Sequence, residues 1–269
     1  MLHSLHLPTL SYYPFSSHSS SRYIKFQTTY RDNVRYLKTL TIIDPKTKPD
    51  NLPLPDAVNH VITTVNFFKS KSFTEQDFPR LQSLCPQLFS NFVDPTHISP
   101  TFDFLNVDVL ASVEQSRALV MLCPKLLLSD VELCLKPTLQ FLKQVGVENL
   151  NVPTNQNAHL LNTRVEKMRP KMRFLQERGF SYAEAANACK RLPAILGYGV
   201  ESNLEPKFEY LVNEMQRDLV ELKKFPQYFG FSLEKRIVPR HLHLKERGVR
   251  IPLNRMLMWG DDKFYAKWK

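Results

Sequence analysis

Proline recurs in this chain inside one fixed pattern of residues. The pattern is an apolar residue, any residue, proline, three further residues, an aromatic residue or histidine, and then leucine, as in LKPTLQFL. Average composition would place it around only about one proline in several hundred. The chain contains it five times, at nearly regular intervals, and the prolines are Pro100, Pro137, Pro170, Pro206 and Pro239. The chain is therefore predicted to consist of repeated units.

Another series of prolines precedes the five-copy prolines at a nearly constant distance. It is called the first series because it comes earlier in each unit, and the five-copy prolines are called the second series. The members of the first series are Pro86, Pro124, Pro193 and Pro226. A residue before proline disfavours helical backbone, so these prolines are predicted to end a helix. The prolines of the five-copy pattern are tolerated in the early turns of the next helix. Gly146, Gly179 and Gly248 each follow such a proline by nine positions, where a helix favours a left-handed residue.

Each unit is thus expected to be helix, turn, helix. In the best-formed unit, residues 180–215, Ser181 with Glu184 predicts a capping box for the first helix, and Ser202 with Glu205 is expected to open the second. The unit between residues 146 and 170 lacks the first proline and is interpreted as degenerate. One helix pair cannot bury its apolar side alone, so neighbouring pairs must stack. The predicted fold is an all-α solenoid of 33–36-residue helix-turn-helix repeats over residues 57–260.

The ends of the chain differ from this repeated region. Residues 1–31 contain seven serines, three basic residues and no acid, a composition typical of an organelle transit peptide, with an ordinary unstructured terminus as the alternative. Residues 32–56, which include the proline-rich stretch 44–56, are predicted to be a linker. Residues 261–269 are assigned to a C-terminal tail.

The two proline series resemble the repeat of the mTERF family, the organellar transcription termination factors. That repeat has the form LxxxP followed some thirteen residues later by LxPxxxFLxxxG, and LCPKLLLSDVELCLKPTLQFLKQVG at 122–146 is the fullest match. Tetratricopeptide repeats have a similar period but a different set of fixed residues. With the leader and the ending MLMWGDDKFYAKWK, the chain is similar to land-plant plastid members.

The resemblance implies a superhelix in which each repeat has two α-helices and a short 3₁₀ turn, and a basic groove that binds nucleic acid. It also implies a role in organelle gene expression, namely transcription termination or regulation, or RNA processing. The expected location is the chloroplast, with the mitochondrion as the alternative. The expected ligand is double-stranded DNA or RNA. Organellar protein partners are left open, and the chain is expected to be monomeric.

The charge of the chain agrees with a polyanionic partner. The net charge is +10, yet residues 50–163 carry 7 basic and 11 acidic residues, whereas residues 164–250 carry 18 basic and 11 acidic residues. A basic half beside a mildly acidic half indicates binding to a polyanion, with a solvated basic face as the alternative.

Several cations stand at equal positions of successive repeats. The residue after the five-copy proline is Thr101, Thr138, Lys171, Lys207 or Arg240, and the pairs Lys190-Arg191 and Lys223-Lys224 share one position of adjacent repeats. In a solenoid, equal positions share a face, so these cations are expected to form a row that suits a phosphate backbone. Pairing with nearby glutamates is the alternative. The predicted nucleic-acid-binding residues are Lys136, Arg169, Lys171, Lys190, Arg191, Lys207, Lys223, Lys224 and Arg240.

Other functional classes find little support in the sequence. His241 and His243 form an HxH pair, but His243 occupies the aromatic position of the repeat, so packing is favoured over metal binding. Phosphate-binding glycine motifs and catalytic constellations are not found, so neither an enzyme nor a cofactor is expected. No apolar run reaches the roughly 20 residues of a membrane span.

Two further features keep alternatives open. Tyr198 and Tyr228, which follow first-series prolines, are expected to fill the turn between helices, with base stacking as the alternative. The alternative function is an α-helical protein-interaction scaffold in an organellar RNA-processing or ribosome-assembly complex.

Overall fold

The computed structural model describes residues 29–90 and 93–269, and all regular secondary structure in these residues is helical. The α-helices are α1 Tyr30–Thr39, α2 Pro55–Ser70, α3 Phe78–Leu84, α4 Pro95–Val107, α5 Val113–Leu122, α6 Lys136–Gln144, α7 Asn155–Leu161, α8 Val165–Glu177, α9 Tyr182–Arg191, α10 Glu205–Glu209, α11 Leu219–Lys224, α12 Val238–Glu246, α13 Leu253–Met258 and α14 Asp261–Lys267. None of these helices combines the length and the apolar character needed to cross a bilayer.

The helices follow one another as stacked pairs. From α3 onward each unit has a first and a second helix, and the units are α3–α4, α5–α6, α7–α8, α9–α10, α11–α12 and α13–α14. First helices contact the neighbouring first helices or the turns that follow them, as α5 does with α7, and second helices contact second helices, as α6 does with α8. A continuous apolar core runs through all units, from Val34 to Phe264. The predicted all-α solenoid is confirmed.

The first proline series ends the first helices, as predicted. The residue before each proline has φ between −152° and −137° and ψ between 66° and 79°, outside the helical region. Each proline then begins a 3₁₀ turn, in which its missing N–H costs no hydrogen bond. These turns are Pro86–Phe89, Pro124–Leu128, Pro193–Gly197 and Pro226–Gly230.

The second proline series lies inside the second helices. Pro137, Pro206 and Pro239 are the second residues of α6, α10 and α12, and each of these helices is continuous with a preceding π turn. The wider turn accommodates a proline ring that would clash with the carbonyl four residues earlier in an α-helix. These π turns are Val131–Leu135, Val200–Leu204 and Leu233–Ile237.

Two capping predictions in the best-formed unit have different outcomes. The Ser181 and Glu184 capping box is present: the backbone N–H of Glu184 donates to Ser181 Oγ at 3.1 Å, and the backbone N–H of Ser181 donates to Glu184 Oε2 at 2.8 Å. The prediction that Ser202 and Glu205 open the second helix is wrong. The π turn begins earlier, after Gly199, and places Ser202 inside the helix.

Left-handed residues end the second helices. Gly146, Gly179 and Gly248 have φ of 80°, 91° and 64°, as predicted from their spacing. In the two units without this glycine, the left-handed residue falls one position later, at Leu110 with φ of 61° and Gln216 with φ of 50°. The turn is therefore a property of the repeat, and glycine is its least strained occupant.

The unit interpreted as degenerate forms a helix pair without a 3₁₀ turn. Only residues 162–164 separate α7 from α8. Its entry loop is held by the buried side chain of Asn157, whose amide donates to Asn149 O and Val152 O, both at 2.9 Å. These bonds stabilise a unit that lacks the first proline.

Both predicted ends of the solenoid need correction. The linker prediction for residues 32–56 is wrong in its first part, because α1 begins at Tyr30, inside the predicted leader 1–31, and runs to Thr39. This helix packs against α2 and buries Val34 and Leu37. The segment assigned to a tail, residues 261–269, contains α14, whose Phe264 is fully buried. In both places an apolar side of a short helix has a neighbouring helix to cover it. Residues 1–28 of the predicted leader lie outside the described residues.

Candidate nucleic-acid interface

The nine cations predicted to bind nucleic acid fall into three structural groups. One group follows the prolines of the second helices, another closes the first helices α9 and α11, and a third begins the second helices α6 and α8. Only parts of the last two groups are open to solvent. The single row expected from the repeat spacing is not formed.

The positions after the second-helix prolines point toward the next unit. Thr138 is buried and its hydroxyl donates to Thr163 O at 3.1 Å. Lys207 is 6% exposed, and its ammonium donates to Phe229 O at 2.7 Å and to Asn203 Oδ1 at 2.8 Å. Burial lowers the pKa of Lys207. This lysine therefore joins the fourth unit to the fifth and is not available to a phosphate.

Arg240 occupies the same position in the fifth unit and is 1% exposed. Its guanidinium donates to Met256 O at 2.6 Å, to Trp259 O at 2.8 Å and to the carboxylate of Asp261. The guanidinium carbon also lies 4.5 Å from the centre of the Phe264 ring. Arg240 thus caps the carbonyl end of α13, where a cation is favoured by the helix dipole.

Lys171 is half-buried, and its ammonium donates to Lys167 O one turn earlier in α8. Burial lowers the pKa of Lys171, while the negative charge of Glu201 opposes that effect. The prediction that Lys171, Lys207 and Arg240 form an accessible row of cations is therefore wrong. The position after the proline faces the adjoining unit because the second helices pack there.

The pairs at the ends of α9 and α11 divide into one bound and one open cation. Lys190 forms an ion pair with Glu148 at 2.8 Å, and Lys223 forms one with Glu184 at 2.7 Å, each reaching back to the preceding unit. Arg191 and Lys224, the second members, are exposed. Their equal positions in adjacent units bring them to one groove.

This groove, named here the Arg191–Lys224 groove, has a volume of about 440 Å³. Its floor is apolar, with Phe225 and Leu253 among the lining residues, and its polar lining includes the side-chain amides of Gln227 and Asn254. Gln227 Oε1 accepts a hydrogen bond from Arg191 at 3.5 Å.

Glu221 also lines the groove, but both of its carboxylate oxygens accept from Arg217, at 3.1 and 3.0 Å. The groove therefore offers two cations and two side-chain amides. The one acid among its lining residues, Glu221, is already neutralised by Arg217.

The third group, Lys136 and Arg169, is exposed but lies on the second helices. Lys136 forms an ion pair with Glu132 one turn earlier. The Arg169 guanidinium lies 5.9 Å from the ring centre of Phe141 in the preceding unit. Neither residue lines the Arg191–Lys224 groove.

Sequence reasoning missed the two amides of the groove. Gln227 follows a first-series proline directly, a position that is Gln87, Lys125 or Ala194 in the other units, so its chemistry recurs in only one of the three. Asn254 belongs to α13, in a unit that lacks the five-copy proline pattern. The available signal was positional: residues at the ends of first helices and in the following turn share one edge of the solenoid.

The contacts of Tyr228, Tyr198 and His243 bear on the roles that the sequence predicts for them. Tyr228 is fully buried and its hydroxyl donates to Lys207 O at 2.8 Å, so it fills the turn and base stacking is excluded. Burial raises its pKa. Tyr198 is half-buried with the Lys207 ammonium 5.5 Å from its ring centre. His243 packs against Phe264 and Tyr265, and its Nε2 bonds Trp268 O, as the packing interpretation predicted.

The family model described as mTERF matches residues 93–265, well over half of the chain. The chain is a member of the mTERF family. The matched mTERF region includes α13 and ends inside α14, at residue 265.

Several curated relatives of this chain are chloroplastic plant proteins. The chain is 38% identical over 98 residues to transcription termination factor MTERF2, chloroplastic, of Arabidopsis thaliana, covering 36% of this chain and 15% of that protein. It is 36% identical over 88 residues to MTERF5, chloroplastic, of the same plant, covering 33% and 18%. It is 25% identical over 248 residues to MTERF8, chloroplastic, also of that plant, covering 78% and 49%. The matched segments thus span less than half the length of these relatives.

Proposed function

We propose that this mTERF-family chain binds double-stranded DNA at the Arg191–Lys224 groove and takes part in transcription control, including termination, in the chloroplast. The convergence of Arg191 and Lys224 from adjacent units on one groove carries the proposal. Cations at the repeat spacing suit a phosphate backbone, because each neutralised phosphate releases counterions. The relatives named as chloroplastic transcription termination factors support the process and the compartment, and the serine-rich leader supports the compartment.

The Arg191–Lys224 groove alone is better suited to binding the phosphate backbone of a duplex than to recognising a base sequence. Arg191 and Lys224 supply charge, which positions the duplex without reading it. The amides of Gln227 and Asn254 can both donate and accept, so they can bond phosphate, sugar or a base edge. Lys190 and Lys223, which neutralise acids of the preceding units, keep those acids from repelling the duplex.

The test uses the double variant Arg191→Glu/Lys224→Glu and a matched control, Lys46→Glu/Lys48→Glu, whose lysines are exposed and lie before α2. Fluorescence anisotropy with a labelled 30-base-pair duplex is measured from 50 to 300 mM KCl. The groove variant should lose at least about tenfold in affinity, and its salt slope should fall by about 2, since two phosphate contacts are removed. The control should retain the wild-type slope within about 1.

Circular dichroism of both variants checks that the helical content is unchanged. An equal loss of affinity in the control would show that general charge, and not the groove, drives binding. A tighter affinity for single-stranded RNA of the same sequence, with the same dependence on Arg191 and Lys224, would replace DNA as the ligand. A wild-type affinity that does not change with salt would contradict the proposal.

A further inference from the structure

A second groove lies between the second helices α4 and α6, on the less basic half of the chain. It consists of three adjoining depressions of about 580, 560 and 380 Å³, all of which Asp108 lines. One side is α4, with Pro100 and Phe104, and the other is the segment from Ser129 through α6, with Leu139. We call this region the α4–α6 groove. It is continuous over the length of α4.

Two exposed apolar side chains line this groove. Val107, the last residue of α4, is 71% exposed, and Leu110 is 72% exposed. Leu110 also has φ of 61°, a left-handed conformation that is strained for a residue with a Cβ and that glycine or asparagine adopts more readily. The fold therefore gains little from an apolar residue at either position. Single exposed apolar side chains are common, but two that line the same groove favour an interaction surface there.

The charge of the groove disfavours a polyanionic ligand such as the one proposed for the Arg191–Lys224 groove. Five acids line it, Asp103, Asp108, Asp130, Glu132 and Glu148, against the two lysines Lys136 and Lys143. Both lysines are engaged, because Lys136 pairs with Glu132 and Lys143 donates to Asp108 O at 3.2 Å. Asp103 is exposed. A polyphosphate would be repelled here, whereas a cationic occupant would be attracted.

We propose that the α4–α6 groove binds a basic amphipathic helix of another protein. Its apolar side, with residues at i, i+3 or i+4, and i+7, would cover Val107 and Leu110, while lysine or arginine would face Asp103. The thirteen residues of α4 fix the scale: an occupant of about 13 residues matches a groove of about 20 Å. The site lies apart from the Arg191–Lys224 groove, so the chain can hold DNA and a protein partner together.

Peptide display tests the predicted chemistry of the occupant and does not require the partner protein to be identified. A library of 16-residue peptides is selected on the wild-type chain and counter-selected on the variant Val107→Asn/Leu110→Asn. Asparagine removes the apolar contact, and at position 110 it suits the left-handed backbone, so the variant keeps its fold. The expected consensus has apolar residues at helical spacing flanked by lysine and arginine. An acidic consensus, or no peptide that prefers the wild type, would overturn the proposal.

The leading peptide is then synthesised and titrated against variants with matched controls. Val107→Asn/Leu110→Asn and Asp103→Lys should each weaken binding at least about tenfold, the loss expected when an apolar contact or a charge pair is removed. The controls Leu54→Asn/Val220→Asn and Asp50→Lys alter exposed residues outside the groove and should leave affinity unchanged. Equal losses in the controls would overturn the proposed site.

Two measurements separate this proposal from its competitors. The affinity of Val107→Asn/Leu110→Asn for duplex DNA should equal that of the wild type. The peptide site and the DNA site are therefore tested independently, and a negative result at one does not refute the other. Sedimentation velocity from 1 to 50 μM should show the same species for wild type and variant. Concentration-dependent association that the variant abolishes would identify a second copy of this chain as the occupant and overturn the assignment to another protein.

Discussion

At the scale of single residues, the position after the second-helix proline serves one structural role with three different side chains. Thr138, Lys207 and Arg240 each donate to a backbone carbonyl of the next unit. Carbonyls at helix ends and in turns lack intrahelical partners, and leaving one buried and unpaired is costly. A hydroxyl, an ammonium and a guanidinium all satisfy that need. Two cations that the sequence presents as ligand-binding residues are therefore structural donors.

Arg240 provides a direct test of this structural role. Arg240→Ala should lower the free energy of unfolding by about 3 kcal/mol, because it leaves the carbonyls of Met256 and Trp259 unpaired and removes the contact with Phe264. The measurement is urea denaturation followed by circular dichroism. Arg255→Ala, at an exposed arginine of α13, is the control and should change the free energy by no more than about 0.5 kcal/mol. Equal effects of the two substitutions would contradict the buried role of Arg240.

At the scale of elements, each unit is bounded by conformations that only particular residues adopt easily. Prolines start the 3₁₀ turns of four units, and π turns make room for Pro137, Pro206 and Pro239. A left-handed residue ends the second helix in the five units that carry the second proline. The last feature persists when glycine is absent, as at Leu110 and Gln216. The connection between units is thus set by backbone geometry, which fixes where each following first helix begins.

Gly179 tests the connection between the third and fourth units. Its φ is 91°, and a Cβ built on it would meet Leu219 Cδ2 at 3.0 Å. Gly179→Ala should lower the free energy of unfolding by about 1–2 kcal/mol, since alanine is strained in this conformation. Gly260→Ala is the control, because Gly260 has φ of −60° and no atom within 4 Å of its added Cβ. Urea midpoints that shift equally for both variants would show that the left-handed turn does not account for the effect.

At the scale of the whole molecule, contacts run from each unit to its neighbours, so stability should be distributed along the chain. The pair α13–α14 covers one end of the core. It buries Leu257 and Phe264 and gives Arg240 its partners. A terminal pair of this kind protects the last apolar surface of a solenoid from water.

Removal of residues 249–269 tests whether stability is local. Hydrogen exchange of α12 should become at least about tenfold faster, since its apolar side and Arg240 lose their cover. Exchange of α5, three units away, should change by less than about threefold because each unit depends on its nearest neighbours. The measurement is hydrogen–deuterium exchange with mass spectrometry on both chains. A uniform increase across α5 and α12 would indicate one cooperative core instead of a solenoid.

The sequence by itself determined the repeat, the helix pairs and most of their boundaries. Proline lacks an N–H and has a fixed φ, and glycine tolerates positive φ, so Pro193 and Gly179 act on the backbone wherever they stand. These are local covalent properties, which a sequence displays directly. The solenoid and the mTERF resemblance followed from their spacing, and both are confirmed.

Only the tertiary structure decided which cations are accessible. Lys207 and Arg191 look equally basic in the sequence, and each stands at a repeated position, yet Lys207 is buried and Arg191 is exposed. Whether a side chain faces water or the next unit depends on how successive helix pairs pack. The pattern of apolar residues does not determine this for a residue at the edge of the buried face. The same packing covers α14 and leaves the α4–α6 groove uncovered, because burial is set by neighbours that are distant in the sequence.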